Sequence, residues 1–290
     1  MVVLVTGANG QLGQSLRHIA PHYPDIEFVF CDSLQLNITQ RAQIESVFNQ
    51  YQPQFCINTA AYTAVDKAES EPEKAHAINV VGAQNLAEVC QEKGTVLLHV
   101  STDFVFDGTQ KTPYTEDDLP NPTGVYGQTK WEGEQAIARA TSRYFIVRTA
   151  WVYSQFGANF MKTMLRLADE RDALRVVSDQ VGSPTNAVDL AEVLVAMVRY
   201  ASQHEYPAFG IYHFSNEGQC SWYDFATAIL KYSQRTTPVF PIPTTDFPTP
   251  AKRPSYSVLD KTKIKDKLGV SIQVWETSLL KTILSLNNEI

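Results

Sequence analysis

The sequence predicts an α/β fold: a doubly wound parallel sheet with a smaller, partly discontinuous lobe. Three observations carry this. Short apolar runs alternate with stretches of helical spacing from residue 2 to residue 148, a glycine triplet follows the first run directly, and past residue 150 the alternation loosens into a proline-rich tail. Strands separated by helices are parallel for a simple reason, since a parallel pair needs a crossover long enough to hold a helix. The expected division puts the sheet in residues 1–148, with return elements near 187–215, and the lobe in 149–186 and 216–290.

Taken in order, Val2 to Thr6 is a first strand running into Gly7, Gly10, Gln11, Leu12 and Gly13, after which helical spacing begins. Glycines let the backbone turn tightly and approach a pyrophosphate, whose charge then lies at a helix N-terminus. This is a Rossmann-like dinucleotide-binding signal, although the spacing is Gly-x-x-Gly-x-x-Gly and not Gly-x-Gly-x-x-Gly. Ile26 to Cys31 reads as the second strand and Asp32 follows it, where a carboxylate accepts hydrogen bonds from a ribose and repels a 2′-phosphate. Phe55 to Asn58 is the third strand. It continues into Ala61, Tyr62 and Thr63, which are placed to pass close to a cofactor. Pro72 to Lys93 has the spacing of one helix, and Thr95 to Val100 that of a buried strand. Tyr144 to Arg148 adds another strand. Asn159 to Glu170, Ala187 to Tyr200 and Ser221 to Tyr232 read as helices, and Gly210 to Ser215 as a strand. The stretch from Pro238 to Pro254 holds six prolines and reads as an irregular strap.

The chemistry concentrates between residues 95 and 130. The buried strand ends in Ser101, Thr102 and Asp103, and a helix opens at Val125 with Tyr126 and Lys130 four apart, on one face. A phenol ordinarily titrates near about 10, and a neighbouring ammonium is expected to lower it by stabilising the phenolate. Tyr126 then acts as proton donor or acceptor, tuned by Lys130.

The net charge of −7 and 44% hydrophobic content describe an ordinary acidic globular chain and argue against a nucleic-acid partner. No apolar run approaches a membrane span, and Met1 followed by Val-Val-Leu-Val reads as a strand and not a signal peptide. Cys31, Cys56, Cys90 and Cys220 are scattered without metal-ligand spacing, as reduced thiols in a cytoplasmic protein would be.

Thr6 to Gly13, Asn58 to Glu69, Ser101 to Gly108, Tyr126 to Lys130, Arg148 to Tyr153, Asn159-Phe160, Asp179-Gln180, Gly182 to Thr185 and Thr249 to Pro254 together resemble the dTDP-4-dehydrorhamnose reductase family of extended short-chain dehydrogenases/reductases. The resemblance implies NADPH- or NADH-dependent reduction of the C4 ketone of dTDP-6-deoxy-L-lyxo-4-hexulose, the last step of dTDP-rhamnose biosynthesis. By position, Thr102 hydrogen-bonds the ketone, Tyr126 donates the proton, and Lys130 tunes Tyr126 and holds the nicotinamide ribose. Asp103, Trp151 and Asn159 fall on the substrate side. Arg253, closing the proline-rich strap, is the expected partner of the substrate diphosphate, with an ion pair to Asp246 or Asp260 as the structural alternative.

Three departures from the family pattern stand out. Asn37-Ile38 replaces an aspartate near the adenine, and Phe104 replaces a tyrosine. Ser15 and Val188 fall where some members hold a dimer-bridging magnesium, so no metal is expected, and the chain is read as a monomer or as a homodimer without a bridging ion. A dehydratase needs a second acid directly after Thr-Asp, which Phe104 cannot supply. A reductase of another nucleotide-linked keto sugar is one rival reading. A non-catalytic subunit like the β subunit of methionine adenosyltransferase is the other, against which the intact Thr102, Tyr126 and Lys130 speak.

Overall fold

The computed structural model describes residues 1–287. Strands β1 (Val2–Thr6), β2 (Glu27–Cys31), β3 (Phe55–Asn58), β4 (Val96–Thr102) and β5 (Tyr144–Thr149), with a sixth strand Gly210–His213, form one parallel sheet. Its order is β2-β1-β3-β4-β5-sixth strand. These strands are apolar on both faces because both faces are covered. Val3, Val5, Ile57, Leu98, Phe145 and Val147 pack against the helices Gln11–Ile19 and Ala187–Gln203. Leu4, Cys56, Leu97 and Ile146 meet the opposite layer, from the helices Arg41–Tyr51, Ala83–Lys93 and Val125–Ala140. Alternate residues therefore serve opposite layers, the doubly wound arrangement expected. A switch point lies between β1 and β3, because the chain leaves β1 toward β2 and returns on its other side. Ligands of open α/β sheets bind outside the carboxyl ends of the strands at such a point.

After β5 the chain departs from the sheet and comes back to it with Ala187–Gln203 and Gly210–His213. A separate cluster is built by Tyr153, Met161 and Met164 with Phe225, Ile229, Trp275 and Leu279. Among the described residues no helix is long and apolar enough to cross a membrane.

Two expectations need correction. Val239–Ile242 is a strand, parallel to Leu174–Val177, and not an irregular strap. Pro241 is tolerated there because the sheet has two strands, so one edge of each needs no donor. Pro72 to Lys93 is also not one regular helix. It runs as Pro72–His76, a π-helical turn Ala77–Gly82, and Ala83–Lys93. Within the wide turn, buried Asn79 accepts from Tyr62 N (2.8 Å) and donates to Tyr62 O (3.2 Å) and Thr129 Oγ1 (3.1 Å). The turn thus ties the loop after β3 to the helix bearing Tyr126 and Lys130, and such bulges recur at functional sites.

Candidate active site

A cleft of about 1240 Å³ runs from the carboxyl ends of β1 and β3 to the cluster beyond β5. At one end Gly7 adopts φ +65°, and a Cβ there would stand 2.7 Å from Ala60 N, so only glycine lets β1 and the loop after β3 approach this closely. Gly7, Gly10, Gln11 and Leu12 line this end, with the start of the helix Gln11–Ile19 behind them. Backbone amides at a helix start and a glycine turn are what a pyrophosphate requires. Asp32, Asn37, Ile38, Ala61 and Thr63 continue the wall. Asp32 accepts from Leu34 N (2.9 Å), Gln35 N (3.1 Å) and Asn9 Nδ2 (2.9 Å), bonds that hold its carboxyl below the usual range, the Gln35 amide foremost. Asn37 accepts from Thr39 within its own turn.

Three expected cofactor or substrate residues do not line the cleft. Tyr62 turns inward onto Ala68 and Ala75 and donates to Glu71 (2.9 Å). Gly13 packs the helix on the glycine turn, where a Cβ would lie 2.5 Å from Gly7 O. Asn159 caps the helix Phe160–Glu170 by accepting from Lys162 N (3.0 Å), and it donates to Gln11 Oε1 (3.0 Å).

Midway along the cleft stand Thr102, Asp103, Tyr126 and Lys130. Thr102 ends β4, donates to Asp103 Oδ1 (3.0 Å) and accepts from Phe104 N (3.2 Å). Tyr126 lies in the first turn of its helix, whose opening amide, Val125 N, donates to Glu69 (2.9 Å). The Phe104 ring meets the Tyr126 ring edge-on at 5.5 Å. Ser101 also lines the cleft, and its hydroxyl donates to Glu134 (2.5 Å), which is in a buried ion pair with Arg148 (2.7 Å).

The expected lowering of Tyr126 by Lys130 is not found. Burial pushes the phenol up to about 12; the Thr102 hydroxyl opposes this and the Asp103 carboxylate adds to it. Burial likewise pushes Asp103 up to about 6, with the Ser257 and Thr102 hydroxyls offsetting part, and its buried Oδ2 has no hydrogen-bond partner among the described residues. Lys130 is buried, donates to Val100 O (2.8 Å) and lies 3.2 Å from His99 Nε2; burial brings it down to about 8, against Glu134. Such a phenol stays protonated at neutral pH and gives its proton only to a stronger base, such as a developing alkoxide.

Part of the cleft wall is aromatic. Trp151, with φ +48°, stacks on Trp222 at 3.5 Å and 9°, and a Cβ on Gly182 would come within 2.6 Å of its ring. A tryptophan in the left-handed region is a strained backbone held at a site. Arg253 also reaches this wall, paired neither with Asp246 nor with Asp260. It forks onto Asp66 through Nη1 (2.5 Å) and Nη2 (2.7 Å), and Asp66 also accepts from Ala251 N (3.2 Å). Asp66, Trp222 and His99 are site residues that sequence reasoning missed. Asp66 stood in a quoted motif, whereas nothing in the spacing marks Trp222.

Residues 1–288 match the RmlD substrate binding domain family. The chain belongs to this family. Relatives include the dTDP-4-dehydrorhamnose reductase of Aggregatibacter actinomycetemcomitans, 42% identical over 283 residues that cover 96% of each chain. The family fold is also that of a dTDP-4-dehydrorhamnose reductase from Clostridium acetobutylicum, with TM-score 0.94, 41% identity, and 99% and 100% of the two chains covered. A Bacillus anthracis dTDP-4-dehydrorhamnose reductase solved in complex with NADP superposes with TM-score 0.93 at 38% identity, over 98% and 99% of the chains.

Proposed function

We propose that the chain is an NAD(P)H-dependent ketoreductase that converts dTDP-6-deoxy-L-lyxo-4-hexulose to dTDP-L-rhamnose, completing dTDP-rhamnose biosynthesis. The observation that carries this is the placement of Thr102 and Tyr126 in one cleft with the Gly7–Gly10 cradle and the Trp151–Trp222 stack. When bound, the reduced nicotinamide supplies the hydride that attacks C4. Thr102 and Tyr126 receive the charge that builds on the ketone oxygen, and Tyr126 delivers its proton there, so that a C–H and an O–H bond replace the C=O π bond. Lys130, anchored on Val100, holds the nicotinamide ribose, and Asp103 and Trp151 hold the sugar.

The cradle fits a dinucleotide, because its floor is backbone that a side chain would fill. Both cofactors are accepted in this reading. Asp32 favours NADH, whereas Arg17 stands close enough to lower Asp32 further and offers a cation to a 2′-phosphate. The cofactor-binding domain comprises residues 1–148 with 187–215, and 149–186 with 216–290 form the substrate lobe. The protein works in the cytoplasm as a monomer or as a homodimer with no bridging metal.

The test is loss of reduced-cofactor absorbance with the dTDP-4-keto sugar, for NADH and NADPH separately. Tyr126→Phe should lose roughly 10²- to 10⁴-fold in turnover with cofactor affinity kept. Wild-type protein that oxidises neither cofactor, or a Tyr126→Phe variant at near-normal turnover, would refute the reading.

A further inference from the structure

A buried chain of polar groups crosses the sheet behind the cleft and ends on Lys130. Thr6 Oγ1 donates to Asn58 Oδ1 (2.6 Å), and the Ala60 amide donates to the same oxygen (3.2 Å). Asn58 Nδ2 meets His99 Nδ1 at 2.9 Å, and His99 Nε2 meets Lys130 Nζ at 3.2 Å. Thr6, Asn58, His99 and Lys130 are each no more than 2% exposed, so bulk solvent does not reach these bonds.

The direction of every bond follows. A backbone N–H can only donate, so the Ala60 amide fixes the Asn58 carboxamide with its oxygen toward Ala60 and its NH₂ toward His99. His99 Nδ1 must then accept. Burial, the larger cause and independent of the form Lys130 takes, holds His99 well below its ordinary range, so the ring is neutral and carries one proton. That proton is on Nε2, facing Lys130. An ammonium offers donors only, whereas an amine can accept from Nε2–H and still donate to Val100 O.

We propose that Asn58 and His99 are a positioning pair for Lys130: Asn58 fixes the His99 tautomer, and the Nε2–H so presented holds Nζ in place and favours its amine over its ammonium form. The titratable groups facing Lys130 and Tyr126 are His99 from β4, Glu134 from their own helix and Asp103 after β4. Glu134 is itself engaged by Arg148 of β5 and by Ser101, which leaves His99 as the direct side-chain partner of Nζ among the described residues. Neutral-pH titration of Lys130 is useful to the ketoreductase reading on which this rests. Tyr126 must regain a proton after each turnover, and a lysine poised near about 8 changes charge in the working range.

The experiment is NMR on the full-length protein, with ¹⁵N-labelled histidine and ¹³C-labelled lysine, Lys130 being assigned through Lys130→Arg. In the wild type the His99 nitrogens should report the Nε2–H tautomer, and an Nδ1–H ring overturns the proposal without any variant. His99→Gln offers Nζ a carbonyl that accepts from an ammonium, so the Lys130 titration should rise by about one pH unit or more. Asn58→Asp keeps the bonds accepted from Thr6 and Ala60 but moves the ring proton to Nδ1, and should also raise it. If Asn58→Asp acts through the tautomer, it adds little in a His99→Gln background. Full additivity marks a bare charge effect and overturns the pair, as does an unmoved titration in both variants. The alkaline limb of kcat should move with the titration while the substrate KM stays. A wild type that shows the tautomer and the lowered titration yet reduces no keto sugar sinks the ketoreductase reading and leaves the pair; active protein with unmoved titrations does the reverse.

Discussion

Asp103→Asn should stabilise the protein while impairing it. The carboxyl is 2% exposed, its Oδ2 has no hydrogen-bond partner among the described residues, and burial raises it from an ordinary 3.8 to about 6. At about 1.36 kcal/mol for each tenfold change in acidity, holding it ionised in the fold at pH 7.5 costs roughly 3 kcal/mol. The sign follows from the raised value. The folded state binds the proton more tightly than the unfolded one, so stability is fully present below 3.8 and is lost as pH rises through about 6. At pH 4 the same penalty is only roughly 0.5 kcal/mol. An amide has no charge to lose, so the variant's advantage in urea unfolding should shrink by roughly 2 kcal/mol between pH 7.5 and pH 4. The absolute advantage at pH 7.5 should be roughly 1–3 kcal/mol, because the new NH₂ also needs a partner. Turnover should fall, since the proposed sugar contact is lost, and a stabilising change that costs activity is the mark of a group kept for function. A difference between variant and wild type that is the same at both pH values would falsify the argument.

Three further outcomes are expected. Asp32→Ser should shift the ratio of kcat/KM toward NADPH by roughly five- to a thousandfold, the span of one like-charge contact between water and a protein surface; an unchanged ratio means that the carboxylate does not face the ribose. Arg253→Ala should raise the substrate KM with reduced-cofactor affinity kept, and should cost less than about 1 kcal/mol in unfolding because the pair with Asp66 is partly exposed. Joint weakening of both ligands with an early melt would make Arg253 a strut. Lys130→Met should weaken cofactor binding as well as turnover, and isothermal titration that finds unchanged affinity counts against the ribose contact.

The sheet was legible because its strands are apolar on both faces and alternate with helical stretches, as a doubly covered parallel sheet requires; Leu4 and Val5 each serve a different helix layer. That Thr102, Tyr126 and Lys130 line one cleft was legible because they combine a strand end with helical i, i+4 spacing. Other features depended on partners far away in the chain. Arg253 finds Asp66 across 187 residues, and the lysine expected to act on Tyr126 is instead engaged by His99 and Val100. Pro241 hid a strand because proline counts against a ladder, although an outer edge tolerates it. Asn79 hid a π-helical turn, since its pull on Tyr62 overrides an otherwise regular helical spacing. Asn159 and Tyr62 sat in matching motifs but serve a helix cap and an inner packing cluster.

The Trp151–Trp222 stack gives the cleft its own chromophore. Two indoles 3.5 Å apart and 9° from parallel share their excited states, so their absorption splits into a couplet in near-ultraviolet circular dichroism. Of the chain's other tryptophans, Trp131 packs in a separate cluster, and Trp275 shares the stack's cluster but meets the Phe225 ring edge-on at 5.8 Å. The sign and size of that couplet record the angle between the two rings. A base or sugar that slides against the stack, or a movement of the Trp222 helix relative to the strained Trp151 backbone, changes that angle. Occupancy of the cleft beside this stack can therefore be followed optically in unlabelled protein and without turnover.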